Sequence, residues 1–228
     1  MPTPRKLKPV TPPIPMYKLH CFAQSGNSFK VAFFLRALGQ PYEPVFLDFM
    51  NGASRDPAWR ESTNTMGEAP ILEDGARSIT QSGAILTYLS DKHGAFGGTT
   101  PEERLEVLRW LLFDNHKFTS YFASYRFSKS FGPAAPDPAV MGWLKGRLEA
   151  AYDIANMHLA KTPFLVGNAP TIADFSMCGY AFYPEEENGL DLLNRYPHVG
   201  AWVQRMKALP SWVAPYDLMP GDRIAPKW

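Results

Sequence analysis

Apolar and polar residues alternate from Tyr17 and then change to helical spacing, and the change falls within "FAQSGNSFKVAFFL", Phe22 to Leu35. In "YKLHCFA", Tyr17, Leu19 and Cys21 share one face while Lys18, His20 and Phe22 share the other, the two-residue period of a strand. Val31, Phe34, Leu35 and Leu38 recur at the spacing of a helix face, Ser28 or Asn27 offers an N-cap, and Gly39 followed by Pro41 supplies the stop. "PVFLDF" reads as a second strand, so the chain opens as βαβ, a parallel pair when the crossover is right-handed. After an irregular polar stretch from Asn51 to Met66, "APILEDGARSIT" predicts an antiparallel hairpin around "EDGA". A helix then closes the unit: Ser82 caps it, Ile85, Leu86 and Leu89 form its apolar stripe, and Lys92, His93 and Gly94 suit its C-terminal end.

Strand patterns stop beyond "GAFGGTT". Thr100, Pro101 and Glu103 combine an N-cap, a proline at the first helical position and a capping-box glutamate, opening a long helix through about Tyr125. Asp137 and Pro138 open another, with Leu144, Leu148, Ala151, Ala155 and Leu159 on one face. Thr171 to Asp174 caps a third, and Trp202, Val203 and Met206 belong to a later one that ends near Pro210. The expected organisation is a proline-rich extension over 1–16, a βαβ-ββα domain over 17–94, a linker over 95–100 and an all-helical domain over 101–228. The fold class is α/β followed by all-α.

Composition narrows the function classes. The 228 residues suffice for one good core or two modest domains. A 45% hydrophobic, 14% aromatic and 20% charged chain is that of a soluble globular protein. With 23 basic and 22 acidic residues the net charge is +1, which supplies no broad field for nucleic acid or anionic lipid. No run of eighteen apolar residues suggests a transmembrane helix. The lead "MPTPRKLKPVTPPIP" lacks the apolar core of a signal peptide. Cys21 and Cys178 stand alone, without CxxC or Cys/His spacing, so neither a disulfide scaffold nor a metal site is expected and the cytoplasm is the natural compartment.

Several loops carry candidate chemistry. "SGNSFK" has neither Walker spacing nor GxGxxG, and Ser25 lacks the G-x-S-x-G context of a hydrolase nucleophile. With Ser28 taken as a helix cap, Ser25 and Asn27 remain to be explained. In "NTMGEAPIL", Pro70 begins a strand, which requires an edge position or a cis Ala69-Pro70 bond. A cis bond would turn the Ala69 backbone outward to pair with a peptide ligand. In "ITQSGAIL", the helix N-terminus at Gln81 and Ser82 suits a carboxylate.

Together "SGNSFKV…L…G…YE", "NTMGEAPILEDG", "ITQSGAILTYL" and "FLVGNAPTIADF" resemble the cytosolic glutathione transferases over nearly the whole chain after Met16. The resemblance implies a thioredoxin-like N-terminal domain, an all-helical C-terminal domain and a homodimer. It places Ser25 where serine-type members keep the hydroxyl that faces the glutathione sulfur, and Asn27 where some bacterial and fungal members use asparagine. It gives Ala69, before Pro70, the backbone contact to the cysteinyl part of glutathione. Gln81 and Ser82 receive the γ-glutamyl end, and Arg55 lies near a basic position that meets the glycyl carboxylate. Glu68 departs from the usual lysine or glutamine, and Thr65 from the proline of "NPxG". The isomerase-like class carries "SSC" where this chain has "SGN", and Cys21 lies too early to serve as a mixed-disulfide cysteine.

No metal is needed for this chemistry. Lowering a thiol pKa of about 8.5 by roughly two units requires about 2.7 kcal/mol of preference for the anion. One hydrogen bond to a charged group supplies about 1.5 to 3 kcal/mol, and a helix N-terminus adds about 0.3 to 1. The implied activity is glutathione conjugation to a small electrophile. The alternatives are a glutathione-dependent disulfide reductase or peroxidase, and a non-catalytic glutathione-binding or protein-interaction module. The second substrate is expected along "RWLLFDNHKFTSYF", where helical spacing puts Leu112, Asn115, His116 and Thr119 on one side. His116 reads as a substrate contact or acid, or as an interhelical histidine.

Overall fold

A computed structural model describes residues 17–228; the proline-rich lead over 1–16 lies outside the described residues. Strand β1 (Tyr17–Cys21) runs parallel to β2 (Tyr42–Phe46), with helix α1 (Gly26–Ala37) crossing between them. Strand β3 (Ile71–Asp74) pairs antiparallel with β1, placing Leu72 opposite Leu19, and β4 (Arg77–Thr80) pairs antiparallel with β3. The sheet order is β2-β1-β3-β4, the thioredoxin-like arrangement. Tyr17, Leu19 and Cys21 are fully buried while Lys18 is exposed, as the alternation requires. Strand β2 begins at Tyr42, earlier than "PVFLDF" suggests. Its Pro44 is tolerated because β2 is an edge strand, where a missing N–H breaks no second ladder.

Helix α3 (Ser82–His93) follows β4 and ends at Gly94 in the left-handed conformation. Between β2 and β3, the stretch expected to be irregular contains helix α2 (Pro57–Ser62), capped by Asp56 with Pro57 at its first position. The cap signal is local and legible, but α2 buries no residue, so no apolar periodicity marks it.

In the helical half, α4 (Pro101–Phe113) and α5 (Thr119–Ser130) are separated by a π-helical turn over Asp114–Phe118. The single long helix expected there is therefore interrupted. The π turn carries Asp114 into the interior, where Lys30 Nζ meets its carboxylate at 2.7 Å and the Ser176 hydroxyl donates to it at 2.5 Å. Helix α6 (Pro138–Leu159) buries Leu144, Leu148, Ala151, Ala155 and Leu159, as its spacing predicts. Helix α7 (Ile172–Met177) opens with the Thr171/Asp174 capping box, and the Asp174 carboxylate also accepts from Leu165 N and Trp202 Nε1, each at 2.9 Å. Short helix α8 (Leu192–Arg195), then α9 (Pro197–Lys207) and α10 (Pro215–Leu218), complete the chain. No helix among the described residues is long and apolar enough to cross a membrane.

Helix α1 is buried from Ser28 to Leu35 because it lies between the sheet and the helical half. Phe33 and Phe34 both contact Phe175 of α7, with ring centroids 5.0 Å apart. Each such aromatic pair adds about 0.5 to 1.5 kcal/mol beyond its buried area. This packing fixes the N-terminus of α1 against the other half, and the candidate site lies there.

Candidate functional site

Ser25, rather than Ser28, caps α1. Its backbone is extended, and its Oγ accepts the Ser28 amide hydrogen at 3.0 Å. Ser28 lies inside the helix with its own hydroxyl buried and unpartnered. Both serines satisfy a cap rule in sequence, and the helix begins at Gly26, against which Tyr180 packs. A Cβ at Gly26 would come within 2.5 Å of the Tyr180 ring, so the chain turns into the helix where only glycine lets that ring approach. The hydroxyl proton of Ser25 has no acceptor among the described residues.

Ser25 and Asn27 line a cleft of about 520 Å³ between the two halves, with Ala69, Gln81 and Ser82 across it. Asn27 Oδ1 accepts a long hydrogen bond from Ser82 Oγ at 3.5 Å, and its side-chain NH2 has no partner among the described residues. The Ala69-Pro70 bond is cis. Pro70 precedes β3, which is paired on both sides, so the edge-strand alternative does not apply. Ser82 is the first residue of α3 and Gln81 takes the cap position, with φ of 69° and no side-chain cap bond. A non-glycine residue in that region costs about 1 to 3 kcal/mol and is found mostly at functional sites. The Gln81 side chain donates to Glu68 Oε2 at 2.5 Å, so a carboxylate stands beside the α3 N-terminus.

The helical half supplies the other wall through Asn115, Thr119, Ser120, Ala123 and Phe127, and Phe22 and Phe49, stacked at 4.8 Å, also line the cleft. Leu112 and His116 do not line the cleft and are exposed. At about 100° per residue, Asn115 and Thr119 stand toward one edge of the predicted face and line the cleft, while Leu112 and His116 stand toward the other edge, which is open to solvent. Arg55 is also absent from the cleft lining, with its guanidinium lying over Gly52.

Two lining residues carried no sequence signal. Tyr180 follows α7 in a short 3₁₀ turn, and its ring covers Gly26. Burial pushes its phenol up, against the Arg126 charge and hydrogen bonding from the Gly26 and Asn27 amides, so the hydroxyl stays protonated. Arg126 of α5 is buried on the cleft wall in an ion pair with Glu187. Neither cysteine takes part: burial pushes the Cys21 thiol up to about 12 and Cys178 well above its ordinary value.

Residues 17–91 match the family model for the glutathione S-transferase N-terminal domain, and residues 134–216 match that for the C-terminal domain. A crystal structure of a glutathione S-transferase from Pseudomonas fluorescens Pf-5 is 32% identical, covers 88% of this chain and 98% of its own, and superposes with a TM-score of 0.79. Glutathione S-transferase F14 of Arabidopsis thaliana is 28% identical over 206 residues, 86% of this chain and 81% of its own. The structure of Ure2p in complex with S-hexylglutathione is 25% identical with a TM-score of 0.77, covering 88% and 97% respectively. The chain belongs to the glutathione S-transferase family.

Proposed function

We propose that the cleft binds glutathione, holds its sulfur as thiolate at Ser25 and Asn27, and lets it attack a small electrophile seated against the helical wall. The observation that carries this reading is the state of the Ser25 hydroxyl. Its oxygen is occupied by the Ser28 amide, and its proton is left for an acceptor in the cleft. Accepting one hydrogen bond polarises the O–H and strengthens its donation to an anion. That donation, worth about 1.5 to 3 kcal/mol to a charged acceptor, together with the α1 N-terminus, accounts for a thiol pKa lowered by about two units.

The other parts of glutathione follow the same wall. The Ala69 backbone pairs with the cysteinyl unit, and Gln81 and Ser82 receive the γ-glutamyl carboxylate at the start of α3. The electrophile occupies the side formed by Phe49, Thr119, Ser120 and Phe127, a mixed surface suited to an aromatic or partly polar compound. Once the thiolate is present no general base is required: sulfur forms the new bond and the leaving group departs with its electron pair. The protein acts as a homodimer, with the exposed Leu105, Leu108 and Leu112 of α4 as an apolar stripe available to a second copy. A shift of the solution mass to that of one chain on Leu108→Glu checks this.

The decisive test compares steady-state rates with glutathione plus an aromatic halide against glutathione plus a small disulfide. Turnover of the halide supports conjugation. Silence with both, and no retention on immobilised glutathione, overturns the reading.

A further inference from the structure

The loop that ends in Ser25 is held by groups far away in the chain. Ala23 N donates to Pro220 O at 2.9 Å, and Tyr183 Oη donates to Ala23 O at 2.7 Å. Arg126 Nη1 donates to Gln24 O at 2.8 Å, while the Gln24 side chain donates to Asp222 O at 2.6 Å. These holders are themselves joined through Glu187, a fully buried carboxylate. It accepts from Arg126 Nε at 2.9 Å, from Tyr216 Oη at 2.8 Å and from Arg223 Nε at 3.3 Å. The Arg126 guanidinium also lies over the Tyr183 ring at 4.0 Å.

Arg126 lines the cleft, yet both of its edges are engaged by protein: Nε and Nη2 by Glu187, Nη2 also by Tyr216, and Nη1 by a backbone carbonyl. A cation so engaged is poorly placed to bind a substrate anion. Its geometry suits another task, fixing the peptide unit immediately before Ser25. A buried charge pair contributes little net stability, and its best-attested use is to select one conformation.

We propose that Arg126 and Glu187 are a positioning pair for the reaction, and that the segment Pro220–Asp222 completes their grip on Ala23 and Gln24. Holding both carbonyls of the loop fixes the direction of the Ser25 hydroxyl proton, and with it the strength of its bond to the thiolate. The assignment rests on Ser25 being the sulfur-facing residue, as proposed above.

The test uses the full chain and three variants. Tyr216→Phe removes one hydroxyl from the network without changing shape. Glu187→Gln removes the charge that orients Arg126. Gly221→Val acts on the segment itself, because Gly221 has a φ of +101° and a Cβ there would lie 2.8 Å from the Phe46 ring. For each, the pH profile of kcat/KM for glutathione and hydrogen exchange over residues 22–28 are measured. In Glu187→Gln and Gly221→Val the acid limb moves up by about one pH unit, equivalent to about tenfold lower kcat/KM on that limb. KM for glutathione stays within about twofold, and the Ala23 amide exchanges at least about tenfold faster. Tyr216→Phe shifts both quantities in the same direction by less.

A purely structural role lowers thermal stability and the active fraction but leaves the pH limb in place, and that result overturns the assignment. Where a variant does not fold, Tyr216→Phe alone decides the matter by the same two readouts. A wild type inactive with glutathione removes the proposed function and this assignment together. An active wild type with unchanged exchange in the variants overturns the positioning pair alone.

Discussion

The Ser25 Oγ accepts the amide hydrogen of Ser28 at 3.0 Å, so the side chain that faces the cleft is also the cap of α1. Helix capping uses a lone pair of this hydroxyl, while the proposed thiolate binding uses its proton. The two roles are therefore separable by substitution. Ser25→Asp keeps a capping oxygen and adds a favourable charge at a helix N-terminus, but has no proton to donate near neutral pH. Its stability is expected within about 0.5 kcal/mol of wild type while conjugation falls by about a hundredfold or more. Ser25→Ala loses both, at a stability cost of about 1 kcal/mol. The apparent pKa of the bound thiol, read from its thiolate absorbance, should rise more in Ser25→Ala than in Asn27→Ala. The opposite order moves the main role to Asn27.

Gly26 is the position where α1 meets Tyr180. Because a Cβ would lie 2.5 Å from the ring, Gly26→Ala must displace either Tyr180 or the start of the helix. Overpacking of this kind costs about 1 to 3 kcal/mol. The expected outcome is a lower denaturation midpoint together with reduced kcat. Replacing Tyr180 by Leu in the same protein should recover most of the midpoint, measured by urea titration. No recovery means that the strain lies in the helix backbone instead.

Glu68 places a carboxylate beside Gln81, at the end of the cleft proposed to receive a carboxylate ligand. Glutathione carries net negative charge, more so as thiolate. Glu68→Gln removes that repulsion and retains an amide oxygen for the bond to Gln81. Both side chains are exposed, so the gain is limited to about 0.5 to 1 kcal/mol, or roughly two- to fivefold tighter glutathione binding. The gain should shrink at high salt. Calorimetry at two ionic strengths checks it, and weaker binding in the variant means that Glu68 instead holds the ligand's ammonium group.

Much of the fold could be read from local pattern, because each element there was selected by interactions between near neighbours. The alternation of Tyr17, Leu19 and Cys21, the Thr171/Asp174 box and the Thr100-Pro101 helix start are of this kind. The cap of α1 falls at Ser25 and not at Ser28 or Asn27, and the first helical residue, Gly26, is packed by Tyr180 from far along the chain, a contact no local pattern shows. Leu112 and His116 form one edge of a predicted face whose other edge, Asn115 and Thr119, lines the cleft; how much of a helix face meets the other half depends on packing that periodicity does not record. The π turn over Asp114–Phe118 accompanies the burial of Asp114 against Lys30, a partner 84 positions away that no local pattern reveals. Nothing in "SYRFS" marks Arg126 as a neighbour of Gln24, since that relation exists only once the chain has closed.

Asp74, at the end of β3, accepts hydrogen bonds from Tyr88 and Lys92. Partial burial pushes its carboxyl up, but the bonds from Lys92 and Tyr88 and the charges of Lys92 and Arg77 outweigh this and hold it below the usual carboxylate range. A carboxyl lowered in the folded state contributes stability that is complete above the unfolded pKa of about 4 and is lost as pH falls through the folded value. Asp74→Asn should therefore be less stable than wild type at neutral pH, with the difference closing in acid. Urea midpoints at neutral pH and in the acid range check this, and a constant difference across pH would assign the loss to packing.

Lys30 and Asp114 form an ion pair with both side chains fully buried between the two halves. Ser176 shares the bonded carboxylate oxygen, and the other, Asp114 Oδ1, has no partner among the described residues. Removing one member leaves a buried charge without compensation, a loss of about 3 to 5 kcal/mol for Lys30→Met alone. Removing both charges with residues of similar volume avoids that penalty. The double variant Lys30→Met with Asp114→Leu should thus recover most of the loss, giving a coupling energy of several kcal/mol in a double-mutant cycle. Urea midpoints of wild type, both single variants and the double variant check this, and a double variant no more stable than Lys30→Met would mean that the interior there does not accept leucine in place of the pair.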